Sequence, residues 1–198
     1  MNKFPLKDWL TISISLFALL ISAINFIRDW KRVSVSITKQ GILKRIETFD
    51  MVQAYPDQSP GLCIEFRFIN SSKYSIGYFD LVFRDGYTNE LLPAFLKHGI
   101  RPEIASQELL GITLDEQVKH LNPMNSNYGM IPANSYLLNE TVVHPISDKI
   151  RVNIKFAKFS IIPNFRSKTT KFKKHKSVLI KLSSEEITSL QREIELMK

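Results

Sequence analysis

From Trp9 to Ile27 the chain runs WLTISISLFALLISAINFI, nineteen residues without a charge, bounded by Asp8 and Arg28. Wound as a helix at ~1.5 Å per residue, this stretch is about 28 Å long, close to the ~30 Å hydrocarbon thickness of a bilayer. The pattern predicts a transmembrane helix over 9–27, an N-terminal tail over 1–8 and a basic juxtamembrane linker over 28–32. Trp9 and Trp30 stand near the two ends, where amphipathic rings favour the membrane interface, and Arg28, Lys31 and Arg32 follow at once. The alternative is a cleaved signal peptide, since Lys3 and Lys7 form a short basic start. Against it, the apolar run exceeds the usual ~7–15 residues and no small-x-small pair closes it. The hydroxyls of Thr11, Ser13, Ser15 and Ser22 can bond back to helix carbonyls. Ser15, Ala18 and Ser22 form a small-residue stripe that permits close approach of a second helix, hence a weak homo-oligomer; the alternative is small residues scattered along a single-pass span.

Past the helix the period changes from 3.6 to 2. Val33, Val35 and Ile37 alternate with Ser34, Ser36 and Thr38, the pattern of a half-buried strand. A Gln40-Gly41 turn and a second strand from Ile42 to about Tyr55 are expected next, before the Pro56 to Gly61 segment breaks the chain. Leu62, Ile64, Phe66 and Phe68 then point one way, with Cys63, Glu65 and Arg67 the other. After an Asn70-Ser71-Ser72 turn, Phe79, Leu81 and Phe83 alternate against Asp80 and Arg84, and Asp85-Gly86 reads as a hairpin turn whose glycine takes positive φ.

Between Leu91 and about Asn127 the alternation is lost, as in an insertion crossing one end of a sheet. Thr113 and Glu116 have capping-box spacing and predict a short helix over Gln117 to Leu121. Strand signals return at Tyr136 to Val143 and at Ile150, Val152, Ile154 and Phe156. A phase slip near Ala157 predicts a β-bulge, and Val178, Ile180 and Leu182 make the last strand. At the end, Ser183 precedes Glu186 by three residues, and Ile187, Leu190, Ile194 and Met197 recur on one face. This is a capped amphipathic helix over 183–198, expected to dock on the domain or pair with a copy of itself. Seven or eight short strands within 33–182 predict a mainly β fold, an antiparallel β-sandwich, with a small β-barrel as the alternative.

Composition places the chain among ordinary folded proteins: 198 residues, 44% apolar and 23% charged. Charge changes the picture more. The net charge of +8 is concentrated: Lys149 to Lys181 holds eleven basic residues and no acid, leaving sixteen basic against nineteen acidic residues elsewhere. The densest part, FRSKTTKFKKHK over 165–176, reads as a polybasic loop. Its Arg166, Lys168, Lys171, Lys173, Lys174 and Lys176 suit an anionic lipid surface, at about 1 kcal/mol per cation. Nucleic acid or a nucleotide is the rival ligand, with Phe165 and Phe172 available for stacking, and a solvated hairpin without a partner is the third reading. Lys and Arg near the span favour its downstream side, which puts the β domain in the cytoplasm, in keeping with a single unpaired cysteine, Cys63.

The sequence signals no catalytic centre, cofactor or metal. His98, His120, His144 and His175 are 22, 24 and 31 residues apart, without a second ligand at zinc spacing. Nucleophile-elbow and phosphate-loop patterns are absent. Cys63 lies mid-strand beside Glu65 and Arg67, a structural position. Asp80, Asp85 and Glu90 flank one hairpin and read as turn formers rather than calcium ligands. Asn70-Ser71-Ser72 and Asn139-Glu140-Thr141 match glycosylation acceptors, a match that arises often by chance.

The order of features resembles a group of small, uncharacterised bacterial single-pass membrane proteins. The residues that carry the resemblance are the basic patch Arg28, Lys31 and Arg32 closing an N-terminal anchor, the Asn70-Ser71-Ser72 turn, and the Ile131-Pro132 loop before the later strands. It covers most of the length and implies bacterial origin and a membrane location, without catalytic residues. A more distant similarity is to membrane-anchored β-barrel effectors of bacterial antiviral signalling, which bind a nucleotide messenger and cluster through their membrane segments; here there is one span. Two functional expectations follow. One is a non-enzymatic adaptor at the inner leaflet that presents loops to a protein partner. The other is a ligand-gated effector whose β domain holds an anionic small molecule. A filled apolar interior favours the first, and a deep basic pocket the second.

Overall fold

A computed structural model describes residues 6–28, 33–50, 60–157 and 174–196. In chain order the elements are α1 (Leu6–Arg28), β1 (Val33–Thr48), β2 (Gly61–Asn70), β3 (Ile76–Asp85), β4 (Ala94–Phe95), α2 (Pro102–Ala105), β5 (Leu109–Thr113), β6 (Val118–Leu121), β7 (Gly129–Ile131), β8 (Ser135–Val143), β9 (Lys149–Phe156), β10 (Lys174–Lys181) and α3 (Ser184–Leu196). Two antiparallel sheets form a sandwich: β4-β8-β2-β1-β5-β6 and β10-β9-β3-β7. The mainly β fold with an apolar N-terminal helix and a short C-terminal helix matches the sequence pattern, and the sheets do not close into a barrel.

The sandwich core is the side of β1 and β2 that alternation predicted. Val33, Val35, Ile37, Leu62, Ile64, Phe66 and Phe68 are buried against Phe83, Ile150, Val152, Ile154 and Phe156 of the second sheet. Phe68 anchors the ring packing, stacked on Tyr78 at 5.6 Å and edge-on to Phe156 at 6.5 Å. Burying each such ring contributes about 1.5–3 kcal/mol.

The first half of the other face of β2, Cys63 and Glu65, is buried too, because the first sheet curls; Arg67 and Ile69 farther along that face are exposed. Beyond β6 the chain reaches β8, where the Glu140 amide donates to Asn122 O (2.9 Å) and the Met124 amide to Glu140 O (3.0 Å). Inside the curl a second core gathers Leu43, Ile46, Cys63, Phe95, Leu109, Leu121 and Val142.

Several local expectations are corrected. Gly41 does not turn the chain: β1 is one strand that keeps β2 as partner through Leu43, and Gly41, at φ 146°, absorbs a bulge in a conformation that favours glycine. In β3 the phase slips at Asp80 (φ 52°), so Tyr78 rather than Phe79 faces the core. That irregularity faces Asn153 to Lys155 of β9, which itself runs regularly to Phe156; the bulge expected near Ala157, where Phe159 and Ile161 carry the apolar pattern on, lies outside the described residues. At the β3 turn it is Asn89 that takes positive φ (63°), whereas Gly86 is required for space, since a Cβ there would lie 2.4 Å from that of Lys149. Thr113 and Glu116 build a hairpin turn instead of a helix. Thr113 exchanges backbone bonds with Gln117 and Glu116, and its Oγ1 accepts the Gln117 amide at 3.1 Å, so Val118 to Leu121 is free to form β6. The insertion's helix is instead α2, opened by Pro102.

The C-terminal capping box is present as predicted: the Ser183 amide donates to Glu186 Oε2 (2.6 Å) and the Glu186 amide to Ser183 Oγ (3.2 Å). α3 docks on the sandwich, burying Leu190 with Ile187 and Ile194 beside it.

Candidate functional site

Four residues, 29–32, separate α1 from the domain in sequence. α1 contains a 19-residue window, Lys7–Asn25, of mean hydropathy 1.6, long and apolar enough to cross a membrane, and none of it is covered by the other described residues. Two of its hydroxyls bond back to the helix, Thr11 donating to Lys7 O and Ser13 to Trp9 O, both at 2.9 Å. Trp9 is exposed near its start, and Arg28 is its last residue; Trp30, Lys31 and Arg32 lie outside the described residues. Five Cα steps separate Arg28 from Val33, so at ~3.8 Å per step the start of β1 lies within about 19 Å of the end of α1. The end of the sandwich that contains Val33 is therefore the end closest to α1 along the chain.

That end is built around one buried amide. Val33 pairs with Asn70, the last residue of β2. Asn70 Nδ2 donates to Tyr74 O (2.9 Å), Ile131 O (3.2 Å) and Pro132 O (2.7 Å), while its Oδ1 accepts the Ser72 amide (3.1 Å) and hydroxyl (2.7 Å). Ile131 belongs to the second sheet, so this side chain ties the two sheets together. The Asn-Ser-Ser turn and the Ile-Pro loop, separate motifs in sequence, are one hydrogen-bonded unit. Its burial also makes Asn70 unusable as a glycosylation acceptor once folded.

The second sheet brings the basic stretch to the same place. Ile76 pairs with Ile131, Tyr78 with Phe156, and Phe156 with Lys174; the Ala157 amide donates to Gly77 O (2.8 Å). The Lys176 ammonium donates to Val35 O at 2.5 Å. The chain thus leaves for residues 158–173 at Ala157 and returns at Lys174, both at the Val33 end. Arg166, Lys168, Lys171 and Lys173 lie outside the described residues. Lys174 and Lys176 are in β10, not in a loop, because main-chain pairing with β9 extends four residues beyond the apolar alternation that begins at Val178.

Charge is segregated along the sandwich. The segments 33–35, 69–76, 130–136, 157 and 174–177 at the Val33 end contain no Asp or Glu, against Lys73, Lys174 and Lys176. Asp85, Glu90 and Asp148 lie at the opposite end. Asp85 is buried and staples its turn: its Oδ1 accepts the amides of Tyr87 (2.8 Å) and Thr88 (2.7 Å). The Ser147 hydroxyl and these amides hold its carboxyl down at about 2. Asp80 instead pairs with Lys155 at 2.7 Å, so the hairpin acids do not converge. Among the described residues no group of three His, Cys, Asp or Glu is placed to hold a metal ion.

A buried ionic cluster inside the curl was not read from sequence. Glu65 and Glu140 stand directly opposite each other on β2 and β8, an unfavourable pairing offset by a cation for each. Arg67 Nε donates to Glu65, and Lys119 Nζ to Glu140 Oε1 at 2.5 Å. Cys63 Sγ lies beside them, 3.6 Å from Lys119 Nζ and 3.9 Å from Glu140 Oε1. Burial pushes the Cys63 thiol up to about 12 despite the Lys119 charge, so it is a poor nucleophile. Burial also opposes the Lys119 ammonium, but its hydrogen bond to Glu140 and the neighbouring negative charge outweigh that and raise its pKa. The paired charges suit holding the curl shut. Cys63, Glu65 and Arg67 shared a face in the sequence pattern; Lys119 and Glu140 are distant in sequence and offered no local signal.

No family model matches the chain, and no curated protein matches it. A solved structure that is similar is the yjhA protein from Bacillus subtilis, 14% identical, with a TM-score of 0.32 over 79% of this chain and 93% of that one.

Proposed function

We propose that this chain is a single-pass membrane protein of bacterial type whose β-sandwich stands at the inner leaflet as a non-enzymatic interaction module for a protein partner. The observation that carries the reading is the gathering of Val33, Ala157 and Lys174 at one end of the sandwich, whose described segments hold no Asp or Glu. The anchor and the flanks of the basic stretch thereby share an end, and Arg166, Lys168, Lys171, Lys173, Lys174 and Lys176 are assigned to anionic headgroups. The excess of Lys and Arg downstream of the span supports a cytoplasmic domain.

The interior favours an adaptor over an effector gated by a nucleotide or another anionic ligand. Both cores are lined by apolar side chains, and among the described residues the charged side chains that are buried, Glu65, Asp85 and Glu140, are all carboxylates, with Lys119 and Arg67 already paired to Glu140 and Glu65. A phosphate-bearing ligand requires the opposite charge.

Topology is the direct test. A Lys198→Cys chain expressed in cells is treated with a membrane-impermeant thiol reagent; Cys63, buried and weakly acidic, stays silent in the folded protein. Labelling only after permeabilisation, with the chain retained in the carbonate-washed membrane fraction, is the expected result. Strong labelling in intact cells overturns the cytoplasmic assignment, and release by carbonate overturns the anchor.

A further inference from the structure

We infer that the Val33 end of the sandwich is itself a bilayer-docking rim, so that the domain rests on the headgroup layer instead of hanging free on its tether; this rests on the membrane-anchored reading above. Four large apolar or aromatic side chains are exposed there: Ile69 (50%), Tyr74 (57%), Met130 (63%) and Tyr136 (56%). They come from four different places. Ile69 and Tyr136 are cross-strand partners on the outer face of the first sheet, Tyr74 lies in the turn between the sheets, and Met130 points outward beside the buried Ile131 of β7.

Side chains distributed around one end of a sandwich match a flat surface better than the single groove or face that a peptide or helix occupies. Their chemistry suits the interface between headgroups and acyl chains, where tyrosine places its ring in the apolar layer and its hydroxyl in water. Charge agrees, since exposed Lys73 is present and Asp and Glu are absent from these segments. Reach agrees too, because the tether from Arg28 holds Val33 within about 19 Å of the end of α1. The Asn70 amide network fixes the two sheets and the Tyr74 turn relative to one another, so the rim meets the bilayer as a preformed edge.

The experiment uses the full chain in nanodiscs of phosphatidylethanolamine and phosphatidylglycerol. An environment-sensitive fluorophore is attached to Tyr74→Cys or Tyr136→Cys at the rim, and to Tyr87→Cys at the opposite end; Cys63 remains in place because it is buried. Rim labels are expected to show blue-shifted emission that is lost when headgroup-labelled quencher lipid is included, and the Tyr87→Cys label to show neither. Quenching of Trp9 and Trp30 in the same samples reports whether α1 is inserted. Tryptophan quenching with rim labels as exposed as the Tyr87→Cys label overturns the rim alone. Absence of tryptophan quenching overturns the anchored reading and the rim with it. The quadruple variant Ile69→Ser, Tyr74→Ser, Met130→Ser and Tyr136→Ser, all at exposed positions, should keep the parent's melting temperature, and a label on Ser75→Cys, exposed in the same segment as Tyr74, should then be quenched less by headgroup-labelled lipid; unchanged quenching of that label contradicts the rim.

Discussion

The side-chain amide of Asn70 donates to the main-chain oxygen of Pro132 at 2.7 Å, joining the last residue of β2 to the chain just beyond β7 in the opposite sheet. The same nitrogen serves Tyr74 and Ile131, and the same side chain accepts from Ser72. A residue that reads as a turn former is thus the clasp of the Val33 end. Asn70→Ala removes three donated and two accepted hydrogen bonds from a buried side chain and should destabilise the chain by about 2–4 kcal/mol. Asn70→Asp should do at least as badly, because it aims a carboxylate at three carbonyl oxygens. Denaturant unfolding in mild detergent measures both; an unchanged midpoint for Asn70→Ala contradicts the clasp.

The curl depends on opposed charges. Lys119→Met leaves Glu140 buried without its cation, a change that costs ~3–5 kcal/mol at a fully buried pair. Since the Lys119 side chain retains 30% exposure, about 2–3 kcal/mol is expected here. Adding Glu140→Leu removes the stranded charge and should recover much of the loss. A double-mutant cycle reads the coupling; two independent, additive losses would show that the pair does not hold the curl.

Acid sensitivity has a named source at the opposite end. Asp85 titrates near about 2 in the folded chain, below the ~3.9 of an unfolded aspartate, so the folded state prefers the carboxylate. Its contribution is complete above about pH 4 and is lost as pH falls through about 2. Asp85→Asn should therefore lower the melting temperature at neutral pH and flatten the acid limb between about pH 4 and 2. Parallel melting curves for parent and variant across that interval expose the origin of the acid limb.

What was legible in the sequence was local. The alternation at Val33, Val35 and Ile37, at Leu62 to Phe68 and at Ile150 to Phe156 is a period-2 signal that burial enforces, and each set is in the core. The Ser183-Glu186 box was legible because both partners lie within one helical turn. Thr113 and Glu116 have the same spacing, yet Glu116 takes φ 56° in a hairpin turn, since Val118 to Leu121 gains more from pairing with β5 than from winding a helix. The ionic cluster was not legible because Lys119 reaches Cys63 across 56 positions, a contact that only the curl creates. The clasp was half visible: its turn and its loop were noticed as separate motifs, but the amide joining them spans 62 positions.

The central claim is that the sandwich presents its Val33 end to an anionic bilayer, and vesicle binding by residues 33–198 tests it without the anchor. Both core clusters lie after residue 32, so this fragment should be soluble and melt cooperatively. Its binding to phosphatidylglycerol vesicles is compared with that of a variant carrying Gln at 166, 168, 171 and 173, which spares the Lys176 contact to Val35. At about 1 kcal/mol per cation, the four substitutions should weaken binding by about 10²- to 10³-fold at low salt, and added salt should weaken the parent in the same direction. Equal binding of the two proteins, or no binding by a folded parent, contradicts the account.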